Sequence, residues 1–327
     1  MRVALFGATG TIGRATAKAL LGQGHEVICP VRQRAGAQHK PGADKLRALL
    51  PGVELRLADG DSVLGAQPDF FRHERIDAVI SCLASRTGAP DDAWAVDFRL
   101  NADLLAQATS ADVKHFVLLS AICVQKPLLA FQHAKLAFES ELIKSGLRYS
   151  IVRPTAFFKS LSGQLRRLQQ GKPYLLFGDG RLTACKPISD DDLAYFLVRC
   201  LTDADKHNRI LPVGGPGAAI TPIEQGEYLF RRLGITPRYQ RLPVAMMDLI
   251  IQTLKFGGYL LPSLAAKAEL ARIGRYYATE SMLVWDPDTR RYDADATPSF
   301  GTQTLFEYYD QLIAGEQQLE LGDHAVF

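Results

Sequence analysis

The first thirteen residues constrain this chain of 327 residues more strongly than any other stretch. Val3 to Phe6 is a short apolar run with strand propensity, and three glycines at three-residue spacing follow it, Gly7, Gly10 and Gly13. An alanine-rich run of helix formers, Arg14 to Leu21, comes next. This order predicts a strand, a tight turn and a helix, which is the opening of a dinucleotide-binding unit.

Each glycine has its own part in that prediction. Gly7 permits the turn, Gly10 leaves room for a pyrophosphate to approach the backbone amides, and Gly13 lets the helix pack closely on the strand. The helix N-terminus offers unpaired N–H groups and a partial positive charge to an anion. The predicted cofactor-binding residues of this loop are Gly7, Thr9, Gly10, Thr11, Ile12 and Gly13.

The residue after the second predicted strand bears on the choice of cofactor. Arg32 follows the strand Glu26 to Val31, where an NAD site would place an acidic residue for the ribose hydroxyl. A guanidinium matches a 2′-phosphate in charge and geometry, so the sequence favours NADPH, the alternative being a solvated loop arginine. Asp59, after the third strand Val53 to Ala58, is a candidate partner of the adenine amine or a plain turn aspartate.

Further strands and helices alternate up to Pro154, which predicts an α/β fold with a Rossmann-type, doubly wound and mostly parallel sheet. The small residues Cys82, Leu83 and Ala84 stand at the carboxyl end of the fourth strand, where ligands of such sheets bind. The remaining predicted elements are the strands Ile76 to Cys82, Lys114 to Ser120 and Arg148 to Arg153 and helices from about Asp91 to Ala111 and from Phe131 to Lys144.

The pattern changes beyond Pro154. We expect residues 1–155 to form the NADPH-binding domain, with 180–215 returning to it through a capped helix start at Ile188 to Asp192 and a strand at Arg209 to Val213. Residues 156–179 and 216–327 are expected to form a smaller, mainly helical substrate lobe. Its first part, Phe157 to Gln170, has the pattern of a single helix.

The segment Val244 to Leu270 is unusually apolar. Polar and glycine residues such as Asp248, Lys255 and Gly257 interrupt it too often for a membrane span. We favour a core-facing helix pair, with a wall for a large apolar ligand or a membrane-surface contact as the alternative.

Composition narrows the function classes. The formal net charge of +3 is small and the basic residues are dispersed, which argues against a nucleic-acid partner. The 5 cysteines show no Cys-x-x-Cys spacing, so neither an iron–sulfur cluster nor a zinc ribbon is indicated. Since the first strand begins almost at the N-terminus and no run of about 18 apolar residues occurs, a cytoplasmic protein is expected.

These features together resemble the extended or atypical branch of the short-chain dehydrogenase/reductase superfamily. The resemblance rests on the glycine loop, on the strand that ends at Ser120 and on the segment Ile188 to Asp192, which occur in the expected order. It implies that Ser120 assists at the site and that Lys135 holds the nicotinamide ribose. The tyrosine that this superfamily places four residues before the lysine is Phe131 here.

Phenylalanine at that position argues against ordinary carbonyl or alcohol chemistry. Reduction of a carbonyl produces an alkoxide that needs a proton donor, and Phe131 has none. Reduction of a carbon–carbon double bond conjugated to a large π-system needs no such donor, because the ring system delocalises the charge. Phe131 then offers a flat apolar surface to a planar substrate.

Several longer segments resemble the NADPH-dependent 3,8-divinyl (proto)chlorophyllide 8-vinyl reductases. They are Phe131 to Glu139, Arg153 to Ser160, Tyr276 to Leu283, Tyr292 to Pro298 and Gly322 to Phe327. The resemblance implies reduction of the 8-vinyl group of a magnesium porphyrin or chlorin to ethyl, with NADPH and no flavin. A location at the periphery of a photosynthetic membrane is compatible with that pigment.

The resemblance assigns candidate residues in three groups. Lys135, Ser120 and Phe131 are the predicted catalytic residues, and Lys135, Arg153 and Pro154 are predicted at the nicotinamide end of the cofactor, although Arg153 is also suited to a structural ion pair. The predicted substrate-binding residues are Phe131, Phe157, Phe158, Met246, Ile250 and Tyr276. An isoflavone-reductase-like enzyme for another conjugated substrate and a non-catalytic NADPH-binding structural or sensor subunit are the alternatives.

Overall fold

The computed structural model describes residues 1–33, 47–59, 70–71, 75–258 and 262–317. Its strands are β1 (Arg2–Phe6), β2 (Glu26–Gln33), β3 (Glu54–Asp59), β4 (Ala78–Ser81), β5 (His115–Leu119), β6 (Arg148–Pro154), β7 (Tyr174–Phe177), β8 (Arg209–Val213), β9 (Tyr239–Leu242), β10 (Val284–Asp286) and β11 (Arg291–Asp293). Its α-helices are α1 (Thr11–Gly22), α2 (Pro90–Ala93), α3 (Asn101–Ser110), α4 (Ala130–Lys144), α5 (Phe158–Leu161), α6 (Gly163–Gln169), α7 (Asp190–Arg199), α8 (Pro222–Leu233), α9 (Val244–Gly258), α10 (Pro262–Thr279) and α11 (Leu305–Ala314).

Seven of these strands form one parallel sheet in the order β3-β2-β1-β4-β5-β6-β8. The chain winds outward from β1 in one direction to β3 and in the other to β8. The order therefore reverses between β1 and β4, and ligands of open α/β sheets bind in the crevice at the carboxyl ends of the strands at such a point. The predicted Rossmann-type fold is confirmed.

The alternation of side chains along β1 shows how the sheet is buried on both faces. Val3 and Leu5 contribute to an apolar cluster with α1 and α7, whereas Ala4 and Phe6 contribute to a second cluster with α3 and α4. All four side chains are fully buried. Burial on both sides is the reason that the strands of a parallel sheet are apolar throughout rather than alternating.

The region beyond Pro154 divides between the sheet and a second cluster of elements. β8 pairs with β6 and α7 packs against α1, so both contact the main sheet. α8, α11 and the small parallel sheet of β7 and β9 surround a separate apolar cluster. The division into an NADPH-binding domain and a substrate lobe stays a prediction.

Two predicted helices differ from the structure. The stretch from Asp91 to Ala111 is helical but contains a π-helix, Trp94–Leu100, between α2 and α3. The single helix predicted from Phe157 to Gln170 is wrong, because α5 and α6 are separate there. Ser162, which lies between them, is buried and donates its hydroxyl hydrogen to the carbonyl oxygen of Phe158, and side-chain hydrogen bonds of this kind compete with regular helix.

The favoured core-facing role of Val244 to Leu270 is wrong for α9. Ile251 is buried in this helix, whereas Leu249 is 65% and Phe256 77% exposed. Met246 and Ile250 are exposed on the same face. Among the described residues, no helix has the length and apolar content needed to cross a lipid bilayer.

Substitution of Gly13 by alanine is expected to destabilise the fold. A Cβ atom there would overlap the carbonyl oxygen of Gly7 and lie 2.8 Å from the Cα of Ala8. We expect the free energy of unfolding to fall by about 2–4 kcal/mol in Gly13→Ala, measured by urea denaturation. Gly22→Ala is the matched control in the same helix, because its Cβ would meet nothing within 4 Å. Equal stabilities of the two variants would contradict the close packing of α1 on β1.

Candidate active site

The glycine loop lies at the point where the sheet order reverses. Gly7 has a φ of +83°, and a Cβ atom on it would lie 2.6 Å from the carbonyl oxygen of Cys82, the residue that follows β4. Gly7 and Gly13 are therefore required by contacts within the protein itself. These contacts bring the start of α1 against the end of β4, so the two predicted cofactor-binding segments are adjacent.

Gly10 is different, because the protein leaves space beside it. Within the described ranges, a Cβ atom at Gly10 would have one neighbour inside 4 Å, the carbonyl oxygen of Gly7 at 3.5 Å, which is an ordinary contact. Gly10 is also the N-cap of α1, and it provides no side-chain hydrogen bond to the helix. The first turn of α1 contains no acidic residue. The helix N-terminus is therefore exposed and uncapped, and no packing contact explains the glycine at position 10. Both features suit binding of the phosphates of a dinucleotide.

Lys159 adds a cation to this end of α1. Its Nζ donates a hydrogen bond to Thr11 Oγ1 at 2.5 Å, which joins the segment after β6 to the first residue of the helix. Asp190 lies nearby, and burial raises the pKa of its carboxyl group although Lys159 acts in the opposite direction. Thr11, Lys159 and Asp190 border a cavity of about 220 Å³.

Lys135 forms a buried ion pair with Asp97. Lys135 Nζ lies 2.9 Å from Asp97 Oδ1, and the two side chains are 11% and 0% exposed. The same carboxylate oxygen accepts a hydrogen bond from the backbone N–H of Ser85 at 3.3 Å. Asp97 thus connects the predicted catalytic lysine to the segment after β4, one residue beyond Ala84.

Asp97 lies in the π-helix, and Asn101 stabilises this irregular turn. The Nδ2 of Asn101 donates to the carbonyl oxygens of Val96 and Asp97, and its Oδ1 accepts from Ser81 Oγ at 2.6 Å. Asn101 and Ser81 are both fully buried. Single turns of π-helix are energetically poor and occur frequently at functional sites.

Ser120 belongs to a second buried network. Its hydroxyl donates to Glu139 Oε1 at 2.5 Å, and Arg153 donates to both oxygens of the same carboxylate, through Nε at 3.1 Å and through a terminal nitrogen. Glu139 lies one turn after Lys135 on α4 and is 2% exposed. Arg153 therefore has the structural ion pair that the sequence allowed, and the hydroxyl hydrogen of Ser120 is engaged within the protein.

Phe131 packs into an apolar cluster between α4 and the C-terminal part of the chain. Ile273 and Tyr276 of α10 belong to this cluster, as do Ile122 and Cys123 after β5. The hydroxyl of Tyr276 donates to the carbonyl oxygens of Cys123 and Lys126, and burial raises the pKa of this phenol. Tyr276 is 3% exposed, so its ring as well as its hydroxyl is engaged within the protein.

The other predicted residues fall into three groups. Cys82, Leu83 and Ala84 follow β4 beside the glycine loop, and burial raises the pKa of the Cys82 thiol to about 12, which leaves it uncharged at neutral pH. Pro154 ends β6, and Phe157 and Phe158 come just after it, half-buried and buried respectively. Arg32 is the last but one residue of β2 and Asp59 the last residue of β3, and their side chains are outside the described part of the structure.

A cation held by aromatic rings connects the site to the C-terminal region. Lys126 Nζ lies 2.7 Å from Glu280 Oε2 and 4.8 Å from the ring centroid of Trp285. The hydroxyl of Tyr292 donates to the same Glu280 oxygen at 2.7 Å. These contacts, together with Tyr276, attach the segment after Ser120 to α10 and the hairpin of β10 and β11.

Comparison with known proteins identifies the family. A family model described as NAD(P)H-binding matches residues 7–204. The divinyl chlorophyllide a 8-vinyl-reductase of Oryza sativa subsp. indica is 47% identical over 331 residues, covering 99% of this chain and 82% of the relative. The chain belongs to the divinyl chlorophyllide a 8-vinyl-reductase family. The 8-vinyl-reductase of Zea mays is 46% identical with the same coverage.

The fold of this 8-vinyl-reductase family member is also found in solved structures. A crystal structure of an isoflavone reductase matches with a TM-score of 0.67, covering 95% of this chain and 99% of the other at 19% sequence identity. Identity at that level shows a shared fold and nothing further. The resemblance stated from the sequence, to an NADPH-dependent 8-vinyl-reductase, is confirmed.

Sequence reasoning missed Asp97, Glu139, Lys159 and Lys126. Asp97 carries a readable signal, since Ala93, Asp97 and Asn101 follow one another at four-residue spacing on an otherwise apolar helix face. Glu139 is four residues after Lys135 and lay within a segment of the family resemblance. Lys126 pairs with a residue 154 positions away, which no local pattern indicates.

Substitution of Gly10 by alanine is expected to weaken NADPH binding without destabilising the protein. The methyl group meets no protein atom closer than 3.5 Å, but it occupies the space beside the N-terminus of α1. We expect the Kd for NADPH, measured by fluorescence titration, to rise at least about tenfold, while the unliganded Tm stays within about 2 °C. Gly22→Ala should change neither quantity. Unchanged affinity in Gly10→Ala would argue that phosphates do not bind at this turn.

Proposed function

We propose that this enzyme reduces the 8-vinyl group of a 3,8-divinyl (proto)chlorophyllide to an ethyl group with NADPH, in chlorophyll or bacteriochlorophyll biosynthesis. Two observations support the proposal. Relatives that match over nearly the full chain carry the name divinyl chlorophyllide a 8-vinyl-reductase. The residues around Lys135 are suited to reduction of a carbon–carbon double bond and unsuited to reduction of a carbonyl.

The second observation carries the chemical argument. Carbonyl reduction requires hydrogen-bond donors aimed at the oxygen on which charge develops. Phe131 has no donor, and the Ser120 hydroxyl already donates to Glu139, whose carboxylate is held by Arg153. Neither residue can therefore stabilise an alkoxide at this position.

Reduction of a conjugated vinyl group makes a different demand on these residues. When bound, NADPH would supply a hydride to one vinyl carbon, and a proton from water or another acid would complete the ethyl group at the other. Charge that develops in between spreads over the macrocycle, so the protein needs a positive field and a flat apolar surface rather than an oxyanion hole. Lys135, paired with Asp97, supplies the positive field. We assign the small exposed part of Phe131, which is otherwise buried, to contact with the macrocycle.

NADPH binding is assigned to the glycine loop and its surroundings. The uncapped N-terminus of α1, the space at Gly10 and the ammonium group of Lys159 would hold the phosphates. Arg32 is the residue that we assign to the 2′-phosphate, on the basis of its position near the carboxyl end of β2. Lys135 and Pro154 would lie at the nicotinamide end, where β5 and β6 finish.

The exposed face of α9 is assigned to the pigment and to the membrane in which it dissolves. Met246 and Ile250 are four residues apart and form one row of the face, whereas Leu249 and Phe256 are seven apart and form the neighbouring, more exposed row. We assign the first row to the macrocycle, together with Phe157 and Phe158. The second row is assigned to a peripheral contact with a photosynthetic membrane from the cytoplasmic side.

The direct test is anaerobic incubation of the purified protein with NADPH and 3,8-divinyl chlorophyllide. We expect a blue shift of the Soret band and a mass gain of two hydrogens that require NADPH and no added flavin or ferredoxin. Divinyl protochlorophyllide, assayed in parallel, establishes which pigment is preferred. An unchanged spectrum despite NADPH binding would exclude the vinyl-reductase reading and favour a sensor or another substrate.

Removal of the Lys135 ammonium group should abolish most of the turnover. In Lys135→Ala, we expect kcat to fall by about 100-fold or more, because the cation beside the reacting atoms is lost. Lys144→Ala, at the exposed end of the same helix, is the control and should retain full activity. Full turnover in Lys135→Ala would remove Lys135 from the mechanism.

The two rows of α9 can be separated by crossed double variants. The variant with Met246→Gln and Ile250→Gln should raise the KM for detergent-dissolved pigment about 30-fold, since each of the two lost apolar contacts costs about 1 kcal/mol. The variant with Leu249→Gln and Phe256→Gln should keep that KM but sediment less with thylakoid-lipid vesicles. Each variant is the control for the other, and identical behaviour of the two would contradict the assignment of separate rows.

A further inference from the structure

Asp97 has an unusual environment for a buried carboxylate. Oδ1 accepts from Lys135 Nζ at 2.9 Å and from the Ser85 backbone N–H at 3.3 Å. Oδ2 is buried and has no hydrogen-bond partner among the described residues. A buried carboxylate oxygen without a donor is costly, and native structures retain such a group where a ligand or an ordered water completes its hydrogen bonds.

The surroundings of Asp97 place this free acceptor at the nucleotide crevice. Ser85 comes directly after Cys82, Leu83 and Ala84, at the carboxyl end of β4. β4 is next to β1, and the backbone of Cys82 contacts Gly7 of the glycine loop. The site where Asp97 lies is therefore bordered on one side by this loop segment and on the other by α4 with Lys135.

The π-helix explains how Asp97 reaches this position. An extra residue in the turn changes the direction of the side chains that follow, and Asn101 stabilises the turn through the carbonyl oxygens of Val96 and Asp97. Ser81 fixes Asn101 in turn. Two buried polar side chains, those of Asn101 and Ser81, thus hold an energetically poor turn in place, and Asp97 within this turn pairs with Lys135.

We propose that Asp97 binds the nicotinamide ribose of NADPH, with Oδ2 accepting a hydrogen bond from one ribose hydroxyl while Lys135 donates to the diol. A ribose diol presents two O–H donors and two acceptor oxygens, which match a carboxylate oxygen and an ammonium group held side by side. The inference rests on the role of Lys135 in the proposed function and adds Asp97 as a second cofactor-binding residue. It concerns cofactor binding alone, so its test needs no pigment.

The test compares binding of four ligands by fluorescence or calorimetric titration of the whole protein. They are NADPH, NADPH analogues that lack the 2′ or the 3′ hydroxyl of the nicotinamide ribose, and 2′,5′-ADP, which lacks that ribose altogether. The variant is Asp97→Asn, which keeps the size of the side chain. Asp103→Asn is the matched control, because Asp103 is exposed in the next turns of the same helical stretch.

In the wild-type protein, we expect loss of one of the two hydroxyls to raise the Kd about tenfold or more. Asp97→Asn should raise the Kd for NADPH by about 10- to 100-fold. The analogue that binds weakly to the wild type should bind to Asp97→Asn with a Kd within about twofold of that for NADPH. Its affinity for 2′,5′-ADP should match that of the wild type and of Asp103→Asn. This pattern assigns the lost affinity to the ribose.

Two results would overturn the proposal. One is a wild-type protein that binds both deoxy analogues as tightly as NADPH, a measurement that does not depend on any variant folding. The other is an Asp97→Asn protein that loses NADPH and 2′,5′-ADP affinity equally, since that shows a general effect on the fold. Absence of vinyl reduction in the pigment assay would leave the binding result intact, so failure of the ribose contact and failure of the proposed substrate are distinguishable.

Discussion

The close backbone contact among Gly7, Gly13 and Cys82 is the constraint on which the rest of the site depends. Side chains at Gly7 or Gly13 would collide with backbone atoms of Cys82, Gly7 or Ala8. Backbone cannot move aside as a flexible side chain can, so these two glycines set the distance between α1, β1 and the end of β4. The position of the loop that leads to Asp97 follows from that distance, as does the direction of the helix N-terminus.

The features visible in the sequence are those that depend on local pattern. The strand, glycine and helix order predicts β1 and α1, and the repeated alternation of apolar runs and helices predicts the parallel sheet. Phenylalanine at position 131, where the superfamily has tyrosine, indicates the unusual chemistry from the sequence alone. These inferences need no knowledge of distant contacts.

The features that were missed depend on tertiary contacts. A π-turn forms where side chains donate hydrogen bonds to its carbonyl oxygens. Asn101 donates these bonds here, and Ser81, 20 residues away, holds Asn101 in position through a hydrogen bond to its Oδ1. The apolar residues of α9 have the composition of a core helix, and only the packing of Ile251 inward leaves Leu249 and Phe256 outward. Burial is a property of the whole fold, so composition alone predicted it wrongly here.

Two buried ion pairs one turn apart on α4 give the site its chemical character. Lys135 pairs with Asp97 and Arg153 with Glu139. Buried pairs of this kind gain little stability, because the loss of hydration roughly offsets their attraction. Their effect is to fix which atoms donate and which accept.

Glu139 accepts the hydroxyl hydrogen of Ser120, so the serine oxygen is left as an acceptor. Asp97 Oδ2, beside the Lys135 ammonium group, has no hydrogen-bond donor in the described part of the chain. Neither Phe131 nor Ser120 can therefore donate a hydrogen bond to a substrate oxygen that gains negative charge during reduction. The site does offer a cation and an acceptor to the ribose of a cofactor. The direction of these hydrogen bonds makes the site suited to hydride transfer onto carbon. The fold, which the chain shares with other reductases, does not by itself select that chemistry.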